Sequence, residues 1–216
     1  MNLAFTSELS AVLLAAGESR RMRGINKLTL PIGDKPLLRR TAETLSRCGL
    51  VELVVVVGHE QHIARELLRG LQLRIVYNEN FRDGQMTSVC CGLAALEKPC
   101  KGVMICLSDQ VLLDVEDIAL IRRGFDRCPT SIMVPVYSGA RGNPVVLDYV
   151  HRQNILADSK NLGCRRLIEN NPELVTALEM PNDHVLVDLD TPEAYSAVIQ
   201  RLRDNDSLHE TPMKTG

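Results

Sequence analysis

The chain has 216 residues, a formal net charge of -2, 45% hydrophobic residues and 24% charged residues. This ordinary globular composition excludes a collagen-like repeat and a disulfide-stabilised mini-protein, and a chain of this length can bury about 70% of its unfolded surface without a disulfide or metal. The near-neutral charge and the small aromatic share, 3%, argue against nucleic-acid binding, which uses basic surfaces and stacking aromatic side chains.

Short apolar runs along the chain predict buried β-strands. The first, Ala11–Ala15, stops before Gly17, and the second, Leu50–Val57, ends at Gly58. Because these runs are continuous rather than alternating, they are typical of strands covered on both faces, as in parallel sheets. The remaining predicted strands are Leu73–Tyr77, Val103–Leu107, Ser131–Val136, Pro144–Leu147 and Val185–Leu189.

Amphipathic stretches between these runs predict helices. In Pro36–Cys48, apolar residues recur at helical spacing and the proline stands near the first turn. The alternation of strand and helix predicts an open α/β sheet with right-handed crossovers. The other predicted helices are Gln61–Leu71, Thr87–Leu96, Val115–Phe125, Cys164–Asn170 and Pro192–Leu202.

The predicted domain organisation is simple. No Gly/Ser-rich linker and no internal repeat divides the chain, so we expect one domain over residues 1–203 and a flexible polar tail over residues 204–216. The odd number of cysteines, seven, and the lack of a CxxC pattern argue against a disulfide framework or a zinc site. The first apolar run is too short for a membrane span and follows no basic region, so we expect a cytoplasmic protein.

The segment after the first predicted strand has the composition of a phosphate-binding loop. In an open α/β sheet the ligand lies beyond the carboxyl ends of the strands, so this loop borders the expected site. Small residues let backbone N–H groups approach an anion, and the cations that follow add positive charge. The segment is neither a Walker A loop nor a GxGxxG turn, and a solvated basic turn is the alternative. The residues concerned are Leu14, Ala15, Ala16, Gly17, Ser19, Arg20, Arg21, Arg23 and Lys27.

This segment resembles the opening of the MobA-like nucleotidyltransferases, and most closely their molybdenum cofactor cytidylyltransferase branch. It reads LAAGxSxRM, followed by Lys27, Leu30-Pro31 and Lys35-Pro36-Leu37-Leu38. The family pattern has a glycine directly after Arg-Met. Arg23 stands there in this chain, Gly24 follows, and Lys27 therefore comes one residue late.

The resemblance extends over residues 11 to 199 and implies a three-layer Rossmann-like nucleotidyltransferase fold with a mostly parallel central sheet. It implies that the residues that bind the nucleotide include Leu14, Ala15, Ala16, Gly17, Ser19, Lys27 and Asp109. It also implies that Arg21, Lys27 and Asp109 are catalytic.

A second segment, after the third predicted strand, resembles the NPxxxxGxxTS element of the same family. Gly84 permits a turn with positive φ, and Thr87 or Ser88 can cap the helix that follows. A helix N-terminus offers free N–H groups to a base carbonyl or a phosphate. The resemblance implies that Gly84 and Ser88 contact the cytosine end of CTP.

Two acidic segments predict a divalent metal site. Asp109 ends an apolar strand, where a carboxylate facing a phosphate loop suits Mg²⁺, which prefers one or two carboxylates together with phosphate oxygens. Asp188 and Asp190 would lie on the same side of an extended segment, which resembles the DIDTPxD ending of the family. Either carboxylate could complete a Mg²⁺ site with Asp109, with Mn²⁺ as a substitute, and capping is the alternative role. The five histidines show no metal-ligand spacing and are expected to be bystanders.

Two further segments are candidates for binding the second substrate. Arg141-Gly142-Asn143 resembles the GHPV segment of the family, with Asn143 in place of the histidine, and the resemblance places Arg141 and Asn143 near the pterin. Arg165 stands in a GDxGAR-like stretch and could hold a substrate phosphate through bidentate contacts. A plain turn and a surface charge are the respective alternatives.

The resemblance implies Mg²⁺-dependent transfer of CMP from CTP to molybdenum-bearing molybdopterin, giving molybdopterin cytosine dinucleotide and pyrophosphate. A molybdenum hydroxylase that receives the product would be a transient partner, and neither nucleic acid nor a membrane is expected as one. Three alternatives stay open. They are a nucleotidyltransferase that uses GTP or a sugar or alcohol phosphate acceptor, a non-catalytic carrier or chaperone of the molybdenum cofactor, and a small oxidoreductase on the same scaffold.

Overall fold

A computed structural model describes residues 8–128, 130–157 and 164–209, and of residues 164, 165 and 205–209 the backbone alone. Its strands are β1 Leu9–Ala15, β2 Pro31–Ile32, β3 Lys35–Pro36, β4 Leu53–Val57, β5 Arg74–Tyr77, β6 Gly102–Leu107, β7 Ile132–Tyr137, β8 Ala140–Arg141, β9 Val145–Asp148 and β10 Val175–Glu179. Its helices are α1 Leu37–Ser46, α2 Gln61–Leu67, α3 Gln85–Ala94, α4 Val115–Asp126, α5 His151–Ala157, α6 Cys164–Asn170 and α7 Pro192–His209.

Among the described residues, eight strands form one sheet in the order β10-β7-β9-β6-β1-β4-β5, with β8 paired to β7. Along that order, β9 is antiparallel to both of its neighbours and every other adjacent pair is parallel. The prediction of a mostly parallel α/β sheet is therefore confirmed. β2 and β3 form a separate two-stranded hairpin that leads into α1.

The two faces of the sheet bury separate apolar clusters. Successive residues of β1 point to opposite faces, so Leu13 packs in the cluster covered by α1, α2, α4 and α7, whereas Val12 and Leu14 pack in the cluster covered by α3, α5 and α6. Val12 and Leu13 are both fully buried. This two-sided covering is the reason that the strands are continuous Val/Leu/Ile runs, and it gives the expected three layers.

One predicted strand is wrong. Residues 185–189 form no strand; a short 3₁₀ turn, His184–Leu186, is followed by irregular backbone. The backbone groups of this segment bond to neighbouring loops instead of to another strand. The Val185 carbonyl accepts hydrogen bonds from the Asn143 N–H at 3.0 Å and the Gln110 Nε2 at 2.9 Å, and the Leu189 N–H donates to the Asp109 carbonyl at 3.1 Å.

Other boundaries differ by a few residues. β9 begins at Val145, directly after Pro144, which has no N–H to donate to a strand pair. The strand β10 and the helix α5 are absent from the prediction. The last helix continues to His209 rather than ending at Leu202, so it runs into the stretch predicted to be a flexible tail, and residues 210–216 lie outside the described part.

Candidate active site

The loop after β1 is held in a compact conformation by its own backbone and two buried side chains. Met22 and Leu28 are 1% and 3% exposed and anchor the loop against the core. Ser19 adopts a left-handed conformation with a φ of 53°, and its carbonyl accepts the Met22 N–H at 2.8 Å. The Ser19 hydroxyl accepts the Lys27 N–H at 3.1 Å, which closes the loop into a ring.

The start of this loop presents unused backbone donors. Ala15 and Ala16 are buried, and a Cβ at Gly17 would meet no atom within 4 Å. In the described part of the chain, no hydrogen bond uses the N–H groups of Gly17, Glu18 or Ser19. Consecutive free N–H groups beside a left-handed residue form a concave site for an anion.

The extra residue in the loop, relative to the family pattern, is absorbed where the backbone turns. Arg23 and Gly24 both have positive φ, 52° and 89°. Beyond this turn the Asn26 side chain accepts the Leu28 N–H at 3.0 Å and begins a short helical turn at Lys27. The Lys27 side chain still reaches the centre of the site.

Four charged groups meet at the carboxyl edge of the sheet. The Lys27 Nζ donates to the Asp109 Oδ2 and lies 2.8 Å from the Asp190 Oδ1, and the Arg21 guanidinium lies 2.6 Å from the Asp190 Oδ2. Burial alone would lower the pKa of Lys27, but the carboxylates of Asp109 and Asp190 outweigh it and raise that pKa, so Lys27 is an ammonium. Burial likewise opposes ionisation of Asp190, yet Lys27 and Arg21 hold its pKa below the usual value.

Asp188 lies beside this cluster without a cation of its own. Burial, and then the negative charges of Asp109 and Asp190, raise its pKa to about 6. The Oδ1 atoms of Asp109 and Asp188 are both buried, and neither has a hydrogen-bond partner among the described residues. Three carboxylates thus share the two cations Lys27 and Arg21, and the cluster has an excess of negative charge and of oxygen acceptors.

Hydrogen bonds between loops bring these distant carboxylates together. The Ser108 N–H donates to the Leu14 carbonyl at 3.2 Å and the Ser108 carbonyl accepts from the Thr41 hydroxyl at 3.0 Å, which fixes the loop that carries Asp109. The Leu189 bond to the Asp109 carbonyl then places Asp188 and Asp190 next to that loop. The predicted convergence of Asp109, Asp188, Asp190 and Lys27 is present in the structure.

A cavity of about 700 Å³ lies on the α3 side of the same edge of the sheet. Apolar side chains from four strands form its floor, and a few polar groups stand around its rim. The Arg141 side chain has neither an ion pair nor a hydrogen bond to the described residues. A Cβ at Gly142 would lie 2.5 Å from the Val185 carbonyl, so this rim packs closely on the segment that leads to Asp188. The lining residues are Leu14, Gln85, Met86, Val89, Ile105, Leu107, Val134, Arg141, Gly142, Asn143, Val145, Ile168 and Glu169.

The segment before α3 corrects one prediction. The helix begins at Gln85, so Thr87 and Ser88 lie inside its first turn and neither caps it. Gly84 has the expected positive φ, 112°. Ser88 is 4% exposed, and its hydroxyl and that of Thr87 accept hydrogen bonds from the Asn78 side chain at 2.9 and 2.8 Å. Ser88 therefore lies below the surface of the site, within a hydrogen-bonded network.

Some residues near the site were not predicted, and one that was lies outside the description. Gln85, Met86 and Glu169 line the cavity but carry no sequence signal beyond their place in helices. The side chain of Arg165 lies outside the described residues. No helix in the described ranges is both long enough and apolar enough to cross a membrane.

The described residues also contain a second group with metal-ligand geometry. One ligand atom from each of Asp114, Asp117 and His184 lies within 4.8 Å of the others. These residues come from two segments far apart in the chain, so no local spacing could reveal them. His184 is hydrogen-bonded to Asp117, which is compatible with the expectation for the histidines. The two carboxylates also form the capping box of α4.

Comparisons with known proteins agree with this architecture. A family model described as the MobA-like NTP transferase domain matches residues 11–177. The chain is 28% identical over 193 residues to nicotine blue oxidoreductase of Paenarthrobacter nicotinovorans, covering 86% of this chain and 93% of that protein.

Two solved structures show the same fold. A nucleotidyl transferase from Methanothermobacter thermautotroptrophicus superposes with a TM-score of 0.76 at 21% identity, over 91% of this chain and 99% of the other. Rv0371C of Mycobacterium tuberculosis in complex with manganese superposes with a TM-score of 0.69 at 23% identity, over 90% and 99%.

Proposed function

The chain belongs to the MobA-like NTP transferase family and is a nucleotidyltransferase, and we propose that it transfers CMP from CTP to molybdenum-bearing molybdopterin. The observation that carries the proposal is a juxtaposition at one edge of the sheet. Within the described part of the chain, a loop with free N–H groups and a lysine faces three carboxylates, and an apolar cavity with an unpaired arginine side chain lies beside them.

The loop after β1 would hold the triphosphate. The N–H groups of Gly17, Glu18 and Ser19 suit phosphate oxygens, and Lys27 and Arg21 supply the positive charge that a polyphosphate needs. Both cations are now paired with carboxylates, so phosphate binding would exchange one set of anionic partners for another. Gly84 and Ser88, at the start of α3, would lie at the base end of the nucleotide.

The carboxylates fit a divalent cation. The buried Oδ1 atoms of Asp109 and Asp188 lack partners, and Mg²⁺ is held in other proteins by one or two carboxylates and substrate phosphates. Asp190 is occupied by Lys27 and Arg21, so we assign Asp188 as the second ligand and Asp190 as the group that positions the two cations. Bound there, Mg²⁺ would neutralise charge on the reacting phosphates, and the manganese complex of Rv0371C supports Mn²⁺ as a substitute.

In nucleotidyl transfer the protein would position the two substrates and stabilise charge, and it would form no covalent bond to either. A terminal phosphate oxygen of the acceptor forms a bond to the α-phosphorus of CTP, while the bond from that phosphorus to the leaving pyrophosphate breaks. Lys27 and Arg21 would stabilise the negative charge that spreads over the phosphates in the transition state. The loop N–H groups would hold the triphosphate so that the attacking and leaving oxygens lie in line.

The cavity would hold the acceptor. Its volume of about 700 Å³ suits a pterin, because its apolar floor can contact a planar ring and the Asn143 amide can bond to ring heteroatoms. Arg141, whose side chain forms no ion pair with the described residues, would bind the acceptor phosphate, and Arg165 is proposed to do the same. The product, a molybdopterin cytosine dinucleotide, would pass to a molybdenum hydroxylase.

A screen for pyrophosphate release tests the proposal. The wild-type chain, with Mg²⁺, is offered each of ATP, CTP, GTP and UTP, in combination with molybdopterin and with sugar and alcohol phosphates. We expect release with CTP and molybdopterin that is lost in the Asp109→Ala variant. Release with GTP or a sugar phosphate would move the chain to another nucleotidyltransferase class. Binding of molybdopterin without release would instead identify a carrier.

A second candidate function is favoured by one observation. The relative that covers 86% of this chain at 28% identity is a nicotine blue oxidoreductase. An oxidoreductase would bind a redox cofactor or consume one. Absorbance of the purified chain in the flavin region, or oxidation of NADH or NADPH with a dye acceptor, would favour that activity over nucleotidyl transfer.

A further inference from the structure

The segment that carries Asp188 and Asp190 has no regular structure to hold it. Residues 183–190, named here the acidic segment, contain one 3₁₀ turn and belong to no strand. Contacts from elsewhere must therefore hold it in place.

One such contact is a buried carboxylate on α4. Asp117 is 3% exposed and lies in the first turn of that helix. Its Oδ2 lies 2.7 Å from the His184 Nδ1, and its Oδ1 accepts from the Asn182 Nδ2 at 3.1 Å. The His184 N–H in turn donates to the Asn182 Oδ1 at 3.1 Å. Both carboxylate oxygens of Asp117 are thus bonded at the start of the acidic segment, one to His184 and one to Asn182, the residue directly before the segment.

The 3₁₀ turn His184–Leu186 is also bonded to the loop that carries Asp109. Gln110 is 1% exposed and follows Asp109 in the chain, and its Nε2 bond to the Val185 carbonyl fixes the residue next to His184. The segment is therefore clamped between α4 and the Asp109 loop. Only residues 185–187 separate His184 from Asp188, so the position of His184 limits where this short connection can place Asp188.

We propose that Asp117, acting through His184 and Asn182, is a positioning residue that sets Asp188 beside Asp109 and so determines the affinity of the cation site. This inference rests on the proposed function, because it takes Asp109 and Asp188 as the cation ligands. Asp117 itself touches neither substrate nor cation. Its effect is transmitted by the backbone of residues 184–188.

The test is a titration with Mn²⁺, followed by electron paramagnetic resonance of the free ion, without substrate. In the His184→Ala variant Mn²⁺ binding should weaken about tenfold, in the range seen when the groups that orient metal ligands are removed. His184→Asn should restore most of the affinity, because its Nδ2 can occupy the place of the histidine Nδ1. The stoichiometry should stay at that of the wild type.

The chain offers a matched control. His151 is 6% exposed and its Nε2 lies 2.7 Å from the Ser131 hydroxyl, but it lies outside the acidic segment and its clamp. His151→Ala should lose a similar amount of thermal stability and keep the affinity of the wild type for Mn²⁺. If His184→Ala does not fold, Asn182→Ala, which removes one bond to Asp117, takes its place.

The outcomes separate the two proposals. If the wild type binds Mn²⁺ and Asp109→Ala does not, but His184→Ala binds as tightly as the wild type, the positioning role is overturned and the proposed function stands. Loss of a second Mn²⁺ equivalent in His184→Ala would also overturn it, because the Asp114, Asp117 and His184 group would then be a ligand set. If the wild type binds no Mn²⁺, the proposed cation site fails and this inference fails with it.

Discussion

The two halves of the carboxyl edge are built in opposite ways. In the half around the first loop, each cation is already held by a carboxylate: Arg20 by Glu18, Arg21 by Asp190, Arg23 by Glu193, and Lys27 by Asp109 and Asp190. In the half around the cavity, the floor is apolar and Arg141 is unpaired within the described residues. The charged half must exchange partners to bind a ligand, whereas the cavity half needs no such exchange.

Burial decides which of these ion pairs matters. The side chains of Arg21 and Arg23 are 69% and 78% exposed, and exposed pairs contribute about 0 to 1 kcal/mol. The Lys27 side chain is 14% exposed and lies between two carboxylates. Removing one partner of such a pair leaves a poorly solvated charge, so the largest effects are expected at Lys27.

Lys27→Ala should therefore give the largest change in the charged half. We expect kcat/KM for CTP to fall about 10²- to 10³-fold, the loss typical of one charge-stabilising group. Arg21→Ala should weaken CTP binding less than Lys27→Ala. Calorimetry with CTP and Mg²⁺ measures the CTP affinity of both variants, and pyrophosphate release measures kcat/KM. Arg23→Ala is the control, since its partner Glu193 is 70% exposed, and it should change little. Unchanged CTP affinity in both Lys27→Ala and Arg21→Ala would remove the phosphate-binding role of the loop.

Arg141→Gln should affect the cavity half alone. Loss of a charge-assisted hydrogen bond to the acceptor phosphate costs about 1.5 to 3 kcal/mol, so the KM for the acceptor should rise about tenfold or more. CTP affinity, measured without acceptor, should stay at the wild-type value. An equal loss of CTP affinity would show that the two halves are not separate subsites.

The effect of Asp188→Asn on the stability of the metal-free chain should be small and should depend on pH. Because the pKa of Asp188 is raised to about 6 in the folded chain, the folded state binds more protons than the unfolded state between pH 4 and 6, and stability falls as pH rises through that range. Asparagine does not titrate. A rise in pKa from about 4 to about 6 corresponds to about 3 kcal/mol, and solvent screening of the partly exposed Asp188 side chain reduces this value. The variant should therefore gain about 1 kcal/mol over the wild type as pH rises above 6, and little near pH 4.

Urea denaturation in the presence of EDTA, at pH values from 4.5 to 7.5, measures this difference. EDTA removes any divalent cation that would stabilise the wild-type carboxylate. A stability difference that stays constant with pH would contradict the assignment of the raised pKa to Asp188.

Most of the sheet could be predicted from the sequence because its strands are buried on both faces. β1, β4, β5 and β6 coincide with continuous apolar runs to within a few residues. β10 escaped the prediction because it lies at the edge of the sheet, where its side chains are partly exposed and no apolar run forms. The opposite error occurred at residues 185–189. Their apolar run predicted a strand, but it is buried against neighbouring loops and forms none.

For the site, the sequence by itself determined the chemistry that is available: a small-residue loop, its cations, and carboxylates at the ends of two segments. Only the tertiary structure decided how these groups share their charge. It pairs Lys27 and Arg21 with Asp190 and leaves an oxygen of Asp188 without a partner. The physical reason is that these pairings depend on hydrogen bonds between residues 182–185 and three distant residues. Gln110 and Asn143 donate to the Val185 carbonyl, and the Asp117 carboxylate bonds to Asn182 and His184. Such contacts between segments far apart in the chain leave no periodic pattern in the sequence.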